Sequence, residues 1–396
     1  MFDYFPGNYP WNLAVVGALN SGGLIDEVDR ACRPIRAAAA RGEDAGTGEF
    51  LAAWTELTDQ LEGQAEAALA AGHGRTAGEL YFRATNYLCN AERMQSASAP
   101  GRVQVYQRVL QLAQSAIEHR DPLVTRVAVP YEGTTLPAYY SQAPAAAAGP
   151  APVIILWNGL DSTKEHMYIS SHWSELAARG ISCLMVDCPG SGEALRLQGL
   201  TARVDTEAWA AACVDYLLTR PDADPARIGL TGWSLGGYYA PRAAAFEKRL
   251  ALVVAWGANH DWGAVQRRRL EREGERPVPH YWEHVLWVWG QPDLDTFIKF
   301  ADQVHLDGVV SQISVPFLIC HGANDRQIPL QYAHRSYDQA TASPRRELRI
   351  FSAAEGGAEH IGLDHLPYVS GYVADWVSDV FHSQAGPTSG ASQKQP

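Results

Sequence analysis

The sequence predicts an α/β protein in which a mostly parallel central sheet is flanked by helices and preceded by a helical segment. Two observations carry this prediction. Short, continuously apolar runs alternate with helix-length segments, as expected of strands that are buried on both faces of a parallel sheet. The first 120 residues instead repeat apolar side chains every three or four positions, the period of amphipathic helices. The predicted strands are Val153–Trp157, Cys183–Val186, Ile228–Gly232, Leu252–Trp256, Phe317–Cys320 and Leu348–Phe351.

Composition and charge favour a globular protein and argue against nucleic-acid-binding, membrane and secreted proteins. Of the 396 residues, 46% are hydrophobic and 19% are charged, which indicates a globular chain with ample material for a core. A formal net charge of −12 argues against a nucleic-acid partner. No apolar run reaches the length of a membrane span, so we expect no membrane partner. The N-terminal segment does not resemble a signal peptide, and the scattered cysteines favour reduced thiols, so we expect a cytoplasmic protein.

The chain divides into three expected regions. We predict an N-terminal helical domain over residues 1–120, with a break at Pro34, that closes one wall of the substrate pocket. Residues 121–382 are predicted to form a catalytic domain that opens with two short strands around a turn at Glu132–Gly133. The tail over 383–396 is rich in Gly, Ser, Gln and Pro, and we expect it to be disordered.

The motif that carries chemistry is Gly232-x-Ser234-x-Gly236, which directly follows one apolar run and precedes a helix-compatible segment. A nucleophile on a tight strand-to-helix turn needs small neighbours, because the backbone is strained and adjacent elements pass close by. The following helix directs free N–H groups at the site, which favours an oxyanion there. This context, together with the extra Gly237, predicts Ser234 as a catalytic nucleophile.

A serine nucleophile needs a base that is held by an acid, and on this scaffold the acid and then the base follow the serine along the chain. Asp325 follows one predicted strand, and His360 lies in a Gly-rich loop after the next. Parallel strands bring both loops to the sheet edge that carries Ser234. We therefore predict Asp325 as the acid and His360 as the base, with His365 in reserve. His321 is expected to support the Asp325 loop.

The oxyanion hole is predicted from the backbone. One donor is the N–H of Leu235, the residue after the nucleophile, and the second is the N–H of Leu160, in the loop after the first parallel strand. Trp233, beside the nucleophile, is predicted to bind substrate. The turn around Asp187 is interpreted as structural.

These motifs resemble the α/β-hydrolase superfamily over residues 150–380. The resemblance is closest to one branch, which includes bacterial dihydroxypseudooxynicotine hydrolase and fungal hydrolases that shorten polyketide pigment precursors. It implies an N-terminal helical domain, a triad of Ser234, Asp325 and His360, and hydrolysis of a carbon–carbon bond beside a ketone or of an ester. The segments that carry it are FPGNYPWN at the N-terminus, NGLDSTKE at 158–165, GWSLGGYYAPRAAA at 232–245 and GGAEHIGLD at 356–364.

Residues 258–312 form a predicted insertion that caps the site as a lid and selects the substrate. Aromatic side chains are concentrated there, and rings that line a pocket favour bulky aromatic or polyketide-like substrates. On this hypothesis Trp282, Trp287 and His260 bind substrate. The alternative is that the rings only hold the lid to the core. Five tryptophans lie between positions 256 and 289, namely Trp256, Trp262, Trp282, Trp287 and Trp289.

The functional hypothesis is a serine-dependent hydrolase that cleaves a carbon–carbon bond in a β-diketone or aryl ketone through an acyl-enzyme, without a cofactor. The same machinery supports a carboxylesterase or lactonase that acts on a bulky aromatic ester. A metal-dependent enzyme using His360, Asp364 and His365 lacks a second cluster to complete the site. The ordered Ser, Asp and His argue against a non-catalytic binding module. The expected partner is a small-molecule substrate, and a homodimer is left open.

Overall fold

The computed structural model describes residues 1–272 and 276–384, and its central element is one eight-stranded sheet. The strands are β1 (Val124–Tyr131), β2 (Thr134–Ser141), β3 (Ala151–Trp157), β4 (Ser182–Val186), β5 (Ala223–Trp233), β6 (Leu252–Trp256), β7 (Phe317–Gly322) and β8 (Arg346–Phe351). Their order in the sheet is β1-β2-β4-β3-β5-β6-β7-β8. The predicted mostly parallel sheet is therefore confirmed, and it has the strand order and flanking helices of the α/β-hydrolase fold.

The strand directions bring the functional loops to one edge. β1 pairs antiparallel with β2, and β2 pairs antiparallel with β4, whereas all later neighbours are parallel. The register pairs Trp157 with Gly232 and Trp233 with Trp256 at the carboxyl ends of β3, β5 and β6. Because parallel strands point the same way, the loops after β3, β5, β7 and β8 meet at this edge, where open α/β sheets hold their ligands.

Helices precede the sheet and connect its strands. They are α1 (Tyr9–Asn20), α2 (Ile25–Cys32), α3 (Arg36–Ala39), α4 (Thr47–Ala70), α5 (Gly74–Arg93), α6 (Arg102–Arg120), α7 (Lys164–Ile169), α8 (His172–Ala178), α9 (Gly192–Arg196), α10 (Glu207–Leu218), α11 (Gly236–Phe246), α12 (Trp262–Glu271), α13 (Tyr281–Trp289), α14 (Leu294–Ala301), α15 (Gln331–Gln339) and α16 (Leu366–Gln384). Short 3₁₀ turns lie at Arg33–Ile35, Pro144–Ala147, Val310–Gln312 and His360–His365.

Helices α1 to α6 pack onto one face of the sheet and share a hydrophobic core with it. Asn8 caps α1, since its side-chain oxygen accepts the N–H of Trp11 at 3.2 Å. From there a row of edge-on and stacked rings runs through Trp11, Phe50 and Trp54, with centroids 4.7 Å and 5.2 Å apart. All three rings are fully buried. The chain between α2 and α3 breaks at Pro34, as its fixed φ and missing N–H require.

A buried ionic cluster joins these helices to the sheet. The Nζ of Lys164 lies 2.7 Å from Glu165, 3.1 Å from Asp187 and 2.9 Å from Glu193. The hydroxyl of Tyr106, on α6, donates to Glu165 at 3.0 Å. Asp187 also accepts the backbone N–H groups of Lys164 and Glu193, at 2.6 and 2.9 Å. The carboxylate therefore holds the turn after β4 in place.

The structure bears on three expectations, which concern the C-terminal tail, a membrane-spanning helix and the cysteines. Ser383 and Gln384 end α16, and the rest of the tail predicted to be disordered, from 385 on, lies outside the described residues. Within the described part, no helix combines the length and the apolar character that a bilayer crossing needs. The six cysteines are all buried and free.

Candidate active site

Ser234 lies at the turn between β5 and α11, with its backbone in the left-handed region at φ 57°. This conformation is uncommon for a residue other than glycine. It is stabilised by a hydrogen bond from the backbone N–H of Ser234 to the Trp256 carbonyl, at 2.8 Å. The flanking glycines are needed for close packing. A Cβ on Gly232 would lie 2.0 Å from the Gly236 carbonyl, and one on Gly237 would lie 2.0 Å from the Gly257 carbonyl.

The structure brings Ser234, His360 and Asp325 together in one hydrogen-bonded row. Nε2 of His360 lies 2.8 Å from Oγ of Ser234, and Nδ1 lies 2.8 Å from Oδ2 of Asp325. The Asp325 carboxylate is fully buried, and the His360 ring is 7% exposed. An ionised carboxylate only accepts, so Nδ1 carries the hydrogen and Nε2 is free to accept the serine proton.

The Asp325 carboxylate is held in its ionised form. Burial alone would raise its pKa, but the His360 imidazole and further hydrogen bonds lower the pKa to about 2. Its Oδ1 accepts the N–H groups of Gln327 and Ile328 at 2.8 and 3.0 Å. His321 donates from Nε2 to the Ile328 carbonyl at 3.0 Å, so it supports this loop as the sequence indicated.

The loop that carries His360 is shaped by Asp364. Its carboxylate accepts the backbone N–H groups of three consecutive residues, Gly357, Ala358 and Glu359, at 2.9 to 3.2 Å. Asp364 was considered above only as a metal ligand, and its contacts are instead those of a loop clamp. Within residues 1–272 and 276–384, no three His, Cys, Asp or Glu side chains are arranged to hold a metal ion.

The loop after β3 passes directly beside the nucleophile. A Cβ on Gly159 would lie 2.8 Å from the Cβ of Ser234, so only glycine fits there. In the described part of the chain, the N–H groups of Leu160 and Leu235 donate to no protein acceptor. His284 donates from Nε2 to the Leu160 carbonyl at 3.1 Å and thereby fixes this loop. Both predicted oxyanion donors thus lie next to Ser234.

A small pocket adjoins Ser234, Leu160 and Leu235. Its volume is about 10 Å³, close to the space that one water oxygen occupies. Residues of the lid and of the Asp325 loop also line it, among them Arg269 and Gln327. We call this space the oxyanion pocket.

A larger cavity, which we call the main cavity because it borders both Ser234 and His360, has a volume of about 90 Å³. Its wall is mostly apolar and includes Trp233, Ile361 and Leu363. The N-terminal segment contributes Leu13, Gly17, Ser21, Asn90 and Arg93 to its lining. The helices that pack on the sheet thus also border the cavity beside Ser234.

Of the four residues predicted to bind substrate, one lines a cavity beside Ser234 and three do not. Trp233 lines the main cavity, whereas His260, Trp282 and Trp287 line neither this cavity nor the oxyanion pocket. His260 is fully buried and bonded instead to Ser336 at 2.8 Å and Asp307 at 3.0 Å. These contacts tie the lid to α15.

Trp282 and Trp287 of the lid pack against charged side chains. The Trp287 ring lies under the guanidinium groups of Arg102 and Arg196, at 5.0 and 5.6 Å, and the Trp282 ring lies 5.8 Å from the guanidinium of Arg276. Arg102 is on α6, so these contacts join the lid to the N-terminal helices. Of the two alternatives for the aromatic rings, this arrangement favours attachment of the lid over contact with substrate.

Sequence reasoning missed a buried ion pair in the cavity wall. Arg93 of α5 donates to Asp161 at 2.8 and 3.1 Å and to the Pro277 carbonyl at 3.3 Å. The pair links the N-terminal helices, the loop after β3 and the lid at one point. No local sequence pattern predicts this ion pair, because its two partners are 68 positions apart in sequence.

We predict that Trp287→Ala lowers the melting temperature and reduces kcat/KM for bulky and short substrates by similar factors. The ring attaches the lid to the N-terminal helices. Its loss should therefore destabilise the position of the lid without removing a contact to substrate. Removing a buried aromatic contact costs about 1–3 kcal/mol. Differential scanning calorimetry and kinetics on two acyl chain lengths check this. A loss confined to the bulky substrate, with an unchanged melting temperature, would restore Trp287 to the pocket.

We also predict that the protein loses stability as the pH falls from about 6.5 toward 4. Burial lowers the pKa of His166 to about 4, of His172 to about 3 and of His284 to about 4. Because the unfolded histidines titrate near 6.5, the unfolded chain binds more protons in this window, and each group removes up to about 1.4 kcal/mol per pH unit. Asp187, whose pKa burial raises to about 6, opposes them, but as one group against three.

Urea unfolding at pH 7.5, 6 and 5 measures this dependence. In His172→Asn the unfolding free energy should depend less steeply on pH, by the equivalent of up to one bound proton. The same change at the exposed His382 should leave this dependence unaltered. An unfolding free energy that does not vary between pH 7.5 and 5 would contradict the prediction.

Two protein-family models match the chain. The family model described as the prolyl oligopeptidase family matches residues 167–383, and the one described as esterase FrsA-like matches residues 47–265. Each covers more than half of the chain. The second match also spans α4 to α6, so it includes part of the N-terminal helices.

Related proteins match over nearly the whole chain. 2,6-Dihydropseudooxynicotine hydrolase of Paenarthrobacter nicotinovorans is 29% identical over 83% of this chain and 83% of its own. Hydrolase acrC of Aspergillus aculeatus is 30% identical over 84% of this chain and 88% of its own. The crystal structure of 2,6-dihydroxy-pseudo-oxynicotine hydrolase superposes with a TM-score of 0.73 at 25% identity, covering 93% and 96% of the two chains. The chain therefore belongs to the α/β-hydrolase family, as a hydrolase related to these bacterial and fungal enzymes.

Proposed function

We propose that this chain is a serine-dependent hydrolase that cleaves a carbon–carbon bond beside a ketone, in a β-diketone or aryl ketone, through an acyl-enzyme. The observation that carries the proposal is the continuous row from Ser234 through His360 to Asp325, with Ser234 and His360 lining a mostly apolar cavity. The relationship to 2,6-dihydropseudooxynicotine hydrolase supports the choice of a ketonic substrate.

In the first step Oγ of Ser234 forms a bond to the ketone carbon while its proton passes to Nε2 of His360. The 2.8 Å separation of these atoms is within hydrogen-bond reach for that transfer. The imidazolium that results is stabilised by the ionised Asp325 at 2.8 Å. The carbonyl oxygen becomes an oxyanion that the N–H groups of Leu235 and Leu160 can bind.

In the second step the tetrahedral intermediate collapses and the carbon–carbon bond breaks. Its electron pair leaves with the carbon fragment, which must be delocalised as an enolate or into a phenolic ring. The imidazolium of His360 returns its proton to this fragment and so releases a ketone or an arene. Water then attacks the acyl-enzyme with His360 as base, which yields a carboxylic acid and restores the Ser234 hydroxyl.

The surroundings of the triad suit an apolar ketone. Trp233 and Leu363 present apolar surface to the cavity, and α1 closes it with Leu13 and Gly17. The His360 and Asp325 side chains are 7% and 0% exposed, and this burial strengthens the electrostatic interactions around the reacting atoms. A substrate is therefore expected to be held by apolar contact and positioned by few polar groups.

A second candidate function is a carboxylesterase or lactonase that acts on a bulky aromatic ester. The match to the esterase FrsA-like model favours it. The same triad attacks an ester, and an alkoxide leaves without needing delocalisation. The two candidates therefore differ in the leaving group and share every step that involves Ser234.

A paired hydrolysis assay tests the proposal. Aryl-substituted 1,3-diketones and aryl esters with the same acyl group are compared by kcat/KM, with Ser234→Ala as the blank for each. We expect diketone turnover that depends on Ser234, with an acid and a methyl ketone formed in equal amounts. Ester hydrolysis with no diketone cleavage would favour the second candidate.

A further inference from the structure

Arg269 of the lid differs from the other buried arginines of the described chain. Its side chain is 4% exposed, although it belongs to a helix whose other arginines reach solvent. Nη1 donates to the Tyr281 hydroxyl at 2.6 Å, and Nη2 donates to the Gln327 carbonyl at 3.2 Å. Nε is buried and has no hydrogen-bond partner.

The other buried arginines each meet a carboxylate. Arg93 pairs with Asp161, and Arg102 and Arg196 both pair with Glu92, in every case at 2.8 Å. Among residues 1–272 and 276–384, no carboxylate lies within ion-pairing distance of Arg269. A buried cation with only neutral partners is costly to keep, so its position calls for an anion that is not part of the resting protein.

The position of Arg269 indicates which anion that is. Arg269 lines the oxyanion pocket, as do Ser234 and Leu235. Asp161 lines the same pocket, but its charge is already balanced by Arg93. Arg269 therefore contributes the uncompensated charge of the pocket wall, which has room for one oxygen atom.

We propose that Arg269 is a cationic component of the oxyanion hole, which stabilises the negative oxygen that forms when Ser234 adds to the substrate carbonyl. The inference rests on the proposed serine mechanism and holds for a ketone and an ester alike. Backbone N–H groups supply partial charges, whereas a guanidinium supplies a full charge in a site of low dielectric. Tyr281 and Gln327 fix the guanidinium in advance, so it does not need to reorganise as the charge develops.

The test uses a trifluoromethyl ketone, which adds reversibly to a serine nucleophile and gives a hemiketal with the same oxygen. Fluorine NMR of the complex follows ionisation of the hemiketal hydroxyl as the pH is changed. In the unaltered protein we expect an ionised hemiketal at neutral pH. In Arg269→Gln we expect the midpoint of this ionisation to move upward by at least one pH unit.

Kinetics on the same variant supply the second readout. Removal of an oxyanion-hole donor lowers kcat by about 10² to 10³-fold, and we expect a loss in that range with KM changed by less than threefold. Affinity for the trifluoromethyl ketone should fall in proportion to kcat/KM. Arg267→Gln, at an exposed position of the same helix, is the matched control and should behave as the unaltered protein.

Arg269→Met is made in parallel, so that a folding failure of one variant leaves the other to be measured. A hemiketal that is protonated at neutral pH in the unaltered protein would overturn the inference, as would an ionisation midpoint or kcat that stays unchanged in a folded Arg269 variant. Failure of the unaltered protein to form any hemiketal would instead contradict the serine mechanism itself.

Discussion

Ser234→Ala is expected to reduce kcat by about 10⁴-fold or more, while the folded structure and substrate binding stay close to those of the unaltered protein. The substitution deletes the one hydroxyl that lies 2.8 Å from Nε2 of His360 and leaves the apolar wall of the cavity in place. Steady-state kinetics and equilibrium binding of a substrate analogue measure the two effects separately.

Ser174→Ala is the matched control, because its hydroxyl donates only to the Ser171 carbonyl, at 2.6 Å, and lies outside the cavity. It should keep full activity. If Ser234→Ala itself keeps activity within tenfold, Ser234 is not the nucleophile. A water deprotonated by His360 would then attack the substrate carbonyl directly.

Asp325→Asn is expected to cost about 10⁴-fold in kcat with little change in KM. The amide cannot stabilise the imidazolium, and its NH₂ group can hold His360 in the tautomer that carries hydrogen on Nε2, which cannot accept the serine proton. Since Asp325 is fully buried and its pKa is about 2, the carboxylate is ionised across the working pH range.

The same substitution at the exposed Asp375, which pairs with Arg179 at 2.7 Å, serves as the control. Kinetics and the melting temperature are measured for both variants. A loss below tenfold for Asp325→Asn would assign the acid to another carboxylate. Glu359, the nearest in sequence to His360, already pairs with the N-terminal amine at 3.1 Å.

The strands and the spatial grouping of Ser234, Asp325 and His360 could be predicted from the sequence because their signals are local. Apolar runs of fixed length predict buried strands, and β6 begins and ends where its run does, at Leu252 and Trp256. The spacing around Ser234 and the strand-end positions of Asp325 and His360 sufficed to bring the three together. In each case the signal lies within a few residues of the feature that it predicts.

Which face of a helix is buried was harder to predict. Ile25 and Val103 fall on the three-and-four-residue period of α2 and α6, yet they are 79% and 43% exposed. The elements packed against a helix determine which of its faces is buried. Near a helix end the row of buried side chains can shift by one residue. At the start of α6 it is Arg102 that is buried beside the exposed Val103, and the buried face continues through Tyr106 and Val109.

The substrate-side residues could not be assigned because they depend on distant partners. Aromatic density predicted Trp282 and Trp287 for the cavity, but rings also serve to attach a lid, and composition does not distinguish the two uses. Arg269 carries no sequence signal, since its importance comes from the absence of a carboxylate near it in the described residues. Such features become visible only when the long-range contacts are known.

The central claim is that Ser234 is the nucleophile, and covalent labelling by a fluorophosphonate tests it most directly. The intact protein is treated, digested and mapped by mass spectrometry, with Ser234→Ala treated in the same way. We predict one adduct per chain, located on the peptide that contains Ser234, and no adduct in the variant. An unlabelled protein that still turns over its substrate, or an adduct on a different serine, would contradict the account.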